Sequence, residues 1–82
     1  MLSTEETAAL LSNLCTRLGF CLPPNAQEQL RQRPPADVNE FTAAVFIAEG
    51  LDLFTMDRRL YRETQAMVAE AFRRSEEREG DA

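Results

Sequence analysis

Cys15 and Cys21 are the only thiols in the chain, six residues apart, and their spacing frames the chemistry open to it. A redox pair needs an activated thiolate, supplied by a C-x-x-C turn, a helix N-terminus or a neighbouring base. Here the first cysteine falls near the end of a helix, where the negative end of the dipole disfavours a thiolate. A metal site lacks two further Cys or His ligands in one chain and would need the cysteines of a second copy. Two cysteines in a domain with enough apolar residues for a core do not define a disulfide framework, so the expectation is a pair of reduced, buried thiols.

The rest of the catalytic inventory is thin. The chain contains neither His nor Lys, and all nine basic residues are Arg. Ser/His and Cys/His nucleophiles, histidine-ligated metals, Schiff-base lysines and a Walker-type phosphate loop are therefore excluded. Carboxylate pairs such as Glu63 with Glu70, or Asp52 with Asp57, are the remaining acid/base equipment. Glu63 and Glu70 have arginine neighbours at helical spacing, which reads as solvated ion pairing. The three glycines all stand where helices end, leaving no phosphate cradle. No catalytic role, cofactor or metal is expected.

Fourteen acidic against nine basic residues give a net charge of -5 and a pI near 4.6, which repels a phosphate backbone at long range. Arg58, Arg59, Arg62, Arg73 and Arg74 nonetheless concentrate positive charge on one predicted helix. A DNA-associated regulator using those arginines is the alternative this supports. Glu63 and Glu70 interrupt the stripe, Asp57 opens it, and only Tyr61 is placed to stack on a base. A third possibility is a helical ligand-binding or redox protein with a cavity beside the cysteines and methionines.

The elements that must position these groups are helices throughout. Ser3 and Glu6 form a capping box, followed by Leu11, Leu14, Cys15 and Leu18 at helical spacing and Gly19 as terminator; the first helix spans about Thr4 to Leu18. Pro23-Pro24 and Pro34-Pro35 bracket a short second helix, whose apolar pair is Ala26 and Leu30 and which survives only by docking Leu30. Asp37 and Glu40 repeat the capping logic for a third helix from Val38, ended by Gly50. Its apolar stripe, Phe41, Thr42, Ala44, Val45, Phe46, Ile47 and Ala48, is wide enough to predict the most buried helix of the set. A fourth, capped by Thr55, should run from about Met56 to Glu76. Together these predict an all-α fold, a compact four-helix bundle, orthogonal or up-and-down, of three longer helices plus one short, with the second helix lying across one end. Residues 1–76 make one domain, and 77–82 a flexible polar tail.

Leu51, Leu53 and Phe54 are three large apolar residues within the connection between the third and fourth helices. They must either plug the end of the bundle or face a partner. With Met56, Arg58, Arg59 and Arg62 they form the candidate partner-binding surface, since interfaces favour aromatic, Met and Arg side chains. At 82 residues the chain has a marginal core, so a partner subunit is a natural source of further buried area. The leading functional reading is a small cytoplasmic protein-protein interaction module, binding another protein or itself as a homodimer. Its acidic amino terminus and lack of a long apolar run point to no membrane association. Phe54→Ser is expected to abolish association while far-UV circular dichroism stays helical; simple unfolding would instead mark the patch as core.

Overall fold

The computed structural model describes residues 2–50 and 57–80, with side chains of the last helix described as far as Arg78. Four helices make up the fold: α1 (Thr4–Leu18), α2 (Pro24–Gln32), α3 (Val38–Ala48) and α4 (Arg58–Gly80). The all-α bundle is as the periodicity predicts. Two ends differ from expectation. The fourth helix starts at Arg58, where Asp57 Oδ1 accepts the Arg59 N–H at 2.9 Å and so holds the capping place given to Thr55, which lies outside the described residues. It continues past Glu76 to Gly80, because Arg73 pairs with Glu77 one turn on and Arg78 Nη1 reaches Glu6 on α1 at 3.5 Å. The segment 77–80 is thus helix and not tail.

The capping box forms as read from the sequence, with Ser3 Oγ accepting the Glu6 N–H at 3.1 Å and Glu6 Oε1 accepting the Ser3 N–H at 3.0 Å. Asp37 Oδ2 accepts the Glu40 N–H at 3.1 Å. At the far end of α1, Gly19 adopts φ 80°, and its N–H and that of Phe20 return to the carbonyls of Cys15 and Leu14. That left-handed turn aims Phe20 and Leu22 into the core, both buried.

α4 is the helix that the others share. It packs against α1 on one side and α3 on the other. Phe41 meets Phe72 edge-on at 6.2 Å, and Phe46 meets Tyr61 at 5.4 Å, which makes α3 and α4 antiparallel. Glu6 stands beside Ser75 and Arg78, while Arg17 and Ala66 line one surface groove, so α1 and α4 are antiparallel as well. Thr7, Thr42 and Thr64 are fully buried on these contacts, and each hydroxyl donates to the carbonyl four residues back, so none of the three hydroxyls is stranded. The centre of the core is Leu14, Phe41, Val45, Phe46 and Val68, all without solvent exposure.

α2 does not lie across an end. It runs back along α1, joined by the short Gly19–Pro23 link at one end, while at the other the Thr4 hydroxyl donates to the Arg31 carbonyl at 3.3 Å. Leu30 is its one buried side chain. A nine-residue helix with a single buried anchor can cover only one neighbour, and that neighbour is α1.

Two predictions follow from this packing. Phe46 bridges Phe20, 5.1 Å away, and Tyr61, so Phe46→Ala should cost about 3–5 kcal/mol, most of the roughly 4–12 kcal/mol available to a chain this long. Loss of the cooperative thermal transition checks this. The Ser3 N–H, the Ser3 and Ser75 hydroxyls and the Arg78 guanidinium together hold the Glu6 carboxyl below its ordinary value, against a smaller opposing effect of burial. A depressed carboxylate stabilises the fold above its unfolded pKa, and that contribution drains away as pH falls through the folded value. Tm should therefore drop on acidification below about pH 4.5, and less steeply in Glu6→Ala, whose Tm at neutral pH is already lower by the loss of about 1 kcal/mol of capping. Melts at pH 3 to 7 read out both.

Candidate functional site

A groove separates α2 from α3, lined by Ala26 and Leu30 on one wall and Ala44, Ile47 and Ala48 on the other, with Gln29, Gln32 and Arg33 on its rim. It exists because α2 spends its one anchor on α1. No packing comparable to the α1–α2, α1–α4 and α3–α4 contacts joins α2 to α3 among the described residues. The wide stripe on α3 is therefore covered over only part of its width. Phe41, Thr42, Val45 and Phe46 are buried, yet Ile47 is 63% exposed, the one large hydrophobic residue so exposed among the described residues. α3 is still the helix with the largest share of buried residues, as predicted, and only its Ala44–Ile47–Ala48 side is incompletely covered.

Of the predicted surface, Leu51, Leu53, Phe54 and Met56 lie outside the described residues. Arg58, Arg59 and Arg62 are described and exposed, and no ion pair ties their side chains to another described residue. They stand in the first turns of α4, where the dipole is positive, with the exposed carboxylates of Asp57 and Glu63 among them. The Phe46–Tyr61 contact places them at the same end of the bundle as Ile47. Sequence reading missed Ile47 itself, because periodicity counts it into the apolar stripe and cannot tell which part of a stripe will find a neighbour.

The remaining arginines of α4 are committed to structure. Arg73 pairs with Glu70 and Glu77, Arg74 Nε meets Glu70 Oε1 at 3.2 Å, and Arg78 reaches Glu6. These pairs keep Arg73 firmly charged and lower the Glu70 carboxyl below its usual range, chiefly through the Arg73 hydrogen bond. The predicted arginine stripe is thus two groups of different standing. Tyr61, the one aromatic expected to stack on a base, turns its ring to Phe46 instead. Residues 49–57 separate α3 from α4, longer than the turn of a helix-turn-helix. A second groove, between α1 and α4, is lined by Ala9, Asn13, Arg17, Ala66, Glu70 and Arg74, and its Glu70 and Arg74 are paired with each other.

The thiols are neither reduced nor buried. Cys15 and Cys21 are joined in a disulfide, Cys15 partly buried and Cys21 exposed. The expectation fails for a geometric reason: the left-handed residue at Gly19 reverses the chain and brings the two Cα atoms to 4.3 Å. Among the described residues no cluster of three or more His, Cys, Asp or Glu side chains could hold a metal, and no helix is long and apolar enough to cross a membrane.

The geometry on hand is thus an apolar groove with a protruding isoleucine, a patch of exposed arginines at the same end with no ion pair among the described residues, and a nearby disulfide. No family model, curated protein or solved structure matches the chain.

Proposed function

We propose that this protein is a protein-protein interaction module that docks a partner chain on the α2–α3 groove and the adjoining end of the bundle. One observation carries the reading: Ile47 stands exposed beside the partly buried Ala44 and Ala48 on the wall of the groove. Exposed apolar surface bordered by polar residues is the usual mark of a docking site. The groove walls are built largely from alanine, which leaves room for larger apolar side chains from the partner, and Gln29, Gln32 and Arg33 supply a polar rim.

Arg58, Arg59 and Arg62 are exposed guanidinium groups at that end of the bundle, and they suit a partner segment with carboxylates beside its apolar anchors. In sequence, the groove residue Ala48 and the arginines flank Leu51, Leu53, Phe54 and Met56, the apolar run expected to belong to the same surface. A second copy of the chain is one partner that satisfies this description. The work is binding and not catalysis. The reading places the module in the cytoplasm, where a disulfide persists only as a reversible one.

Ile47→Asp tests the reading, because the side chain is exposed and its replacement should leave the fold intact. Association, measured as solution mass across concentration and as capture of an identified partner, should weaken at least tenfold, on the order of 1.4–3 kcal/mol, with unchanged circular dichroism and Tm. Equal association by Ile47→Asp and the unsubstituted protein would remove the groove from consideration. Binding to DNA at low salt with a steep salt slope would replace the protein partner with a nucleic acid.

A further inference from the structure

We propose that Cys15 and Cys21 form a reversible thiol–disulfide exchange site, acted on by dithiols, that sets how firmly α2 is held on the bundle. The proposal does not rest on the docking role of the groove, since its readouts are thiol state and the ordering of α2.

Access is the first argument. Cys21 is exposed and Cys15 half-buried, so an external thiolate can reach the bond without unfolding the protein. The second is what the bond holds. It closes a ring around Gly19 that contains Phe20 and is followed directly by Leu22, both buried, and Phe20 lies edge-on to Phe46 at 5.1 Å. Leu22 in turn supplies the carbonyl that accepts the Gln27 amide N–H at 2.7 Å, tying the start of α2 to the link. Beyond that tie, α2 has Leu30 in the core and the Thr4 hydroxyl on the Arg31 carbonyl. This helix lies along α1 with one buried side chain and Ala26 packed beside the core, so a constraint on the link ahead of it counts for more than it would on a helix with several buried anchors.

The bundle also has what it needs to stay folded when the bond opens. The turn at Gly19 keeps its two backbone hydrogen bonds to Cys15 and Leu14, and apart from Phe20 and Leu18 the residues that pack α1, α3 and α4 together lie outside the ring. Reduction therefore loosens one element and leaves the rest in place.

The exchange balances with a dithiol as the named co-reactant. A thiolate of the dithiol attacks Cys21 Sγ, the Cys15–Cys21 bond breaks, and the Cys15 sulfur leaves with the electron pair and takes up a proton. The second thiol of the reagent then attacks the mixed disulfide, releasing Cys21 as a thiol. The protein gains two electrons and two protons, and the dithiol becomes a cyclic or intramolecular disulfide. Oxidation by a disulfide such as oxidised glutathione reverses the exchange.

The test uses the full chain purified without reductant. Maleimide should label neither cysteine before dithiothreitol and both after it, with no denaturant present and far-UV circular dichroism retained. Reduction should lower Tm by roughly 10 °C, the shift expected for opening so short a loop in a domain of this size. Amide exchange should show the decisive change: the ratio of α2 to α4 exchange rates rises at least tenfold in the reduced protein and returns on treatment with oxidised glutathione. The Cys15→Ser/Cys21→Ser double variant should match the reduced protein without any reagent. Labelling of both thiols before reduction, reduction that requires denaturant, or an unchanged exchange ratio would each overturn the proposal.

Discussion

The shortage of apolar surface on α2 is the constraint from which the functional architecture follows. Between Pro24 and Gln32 only Ala26 and Leu30 are apolar beyond the opening proline, and only Leu30 is buried. A helix with so narrow a stripe gains enough from one neighbour to stay docked and has nothing left for a second. It settles along α1, where the short link and the Thr4–Arg31 hydrogen bond already hold its two ends. α3, by contrast, carries more apolar surface than α4 can cover. The mismatch between a poor helix and a rich one is what leaves Ile47 in solvent and opens the groove.

Charge on α4 is divided in the same economical way. Glu70 and Glu77 stand one turn from Arg73 and Arg74, so the C-terminal arginines are neutralised locally, and Arg78 spans to Glu6 across the α1–α4 contact. Exposed pairs of this kind contribute little each, but together they carry the helix to Gly80 and join its last turns to the capping box of α1. The N-terminal arginines have no such partners among the described residues. A net charge of -5 over the whole chain therefore coexists with exposed arginines that stand outside the ion-pair network of the described residues.

Much of the fold was legible because its local signals agree. Ser3 with Glu6, Asp37 with Glu40, the two prolines pairs and Gly19 each mark a helix end by a mechanism that needs no tertiary information, and the bounds of the first three helices follow. The end of α4 was not legible in that way, since Glu77 and Arg78 look like a solvated charge run until Arg73 and Glu6 are known to be within reach. The position of α2 depends on which neighbour gives it more, a comparison between helices that spacing along one helix cannot make. Ile47 was misplaced for the same reason. Cys15 near the end of a helix and Cys21 just past its glycine terminator are able to approach each other on sequence alone, but composition and thiolate activation favour reduced thiols, and only the reversal at Gly19 shows how near the two Cα atoms come.

The absence of His and Lys, first met as a limit on catalysis, also shapes how the molecule responds to its surroundings. No side chain is positioned by its ordinary pKa to change charge near neutrality, and the carboxylates tied into the capping box and the α4 ion pairs are displaced further toward acid. The Ile47 end of the bundle thus has no histidine through which pH could switch it. The Cys15–Cys21 pair is the remaining place where ordinary solution chemistry can alter a covalent constraint, and it lies one aromatic contact, Phe20 on Phe46, from the residue before Ile47. A surface whose charge is fixed and whose supporting link can be cut by electron transfer is sensitive to redox state in a way it is not to pH. That asymmetry follows from the residue types alone once the turn at Gly19 has brought the two cysteines together.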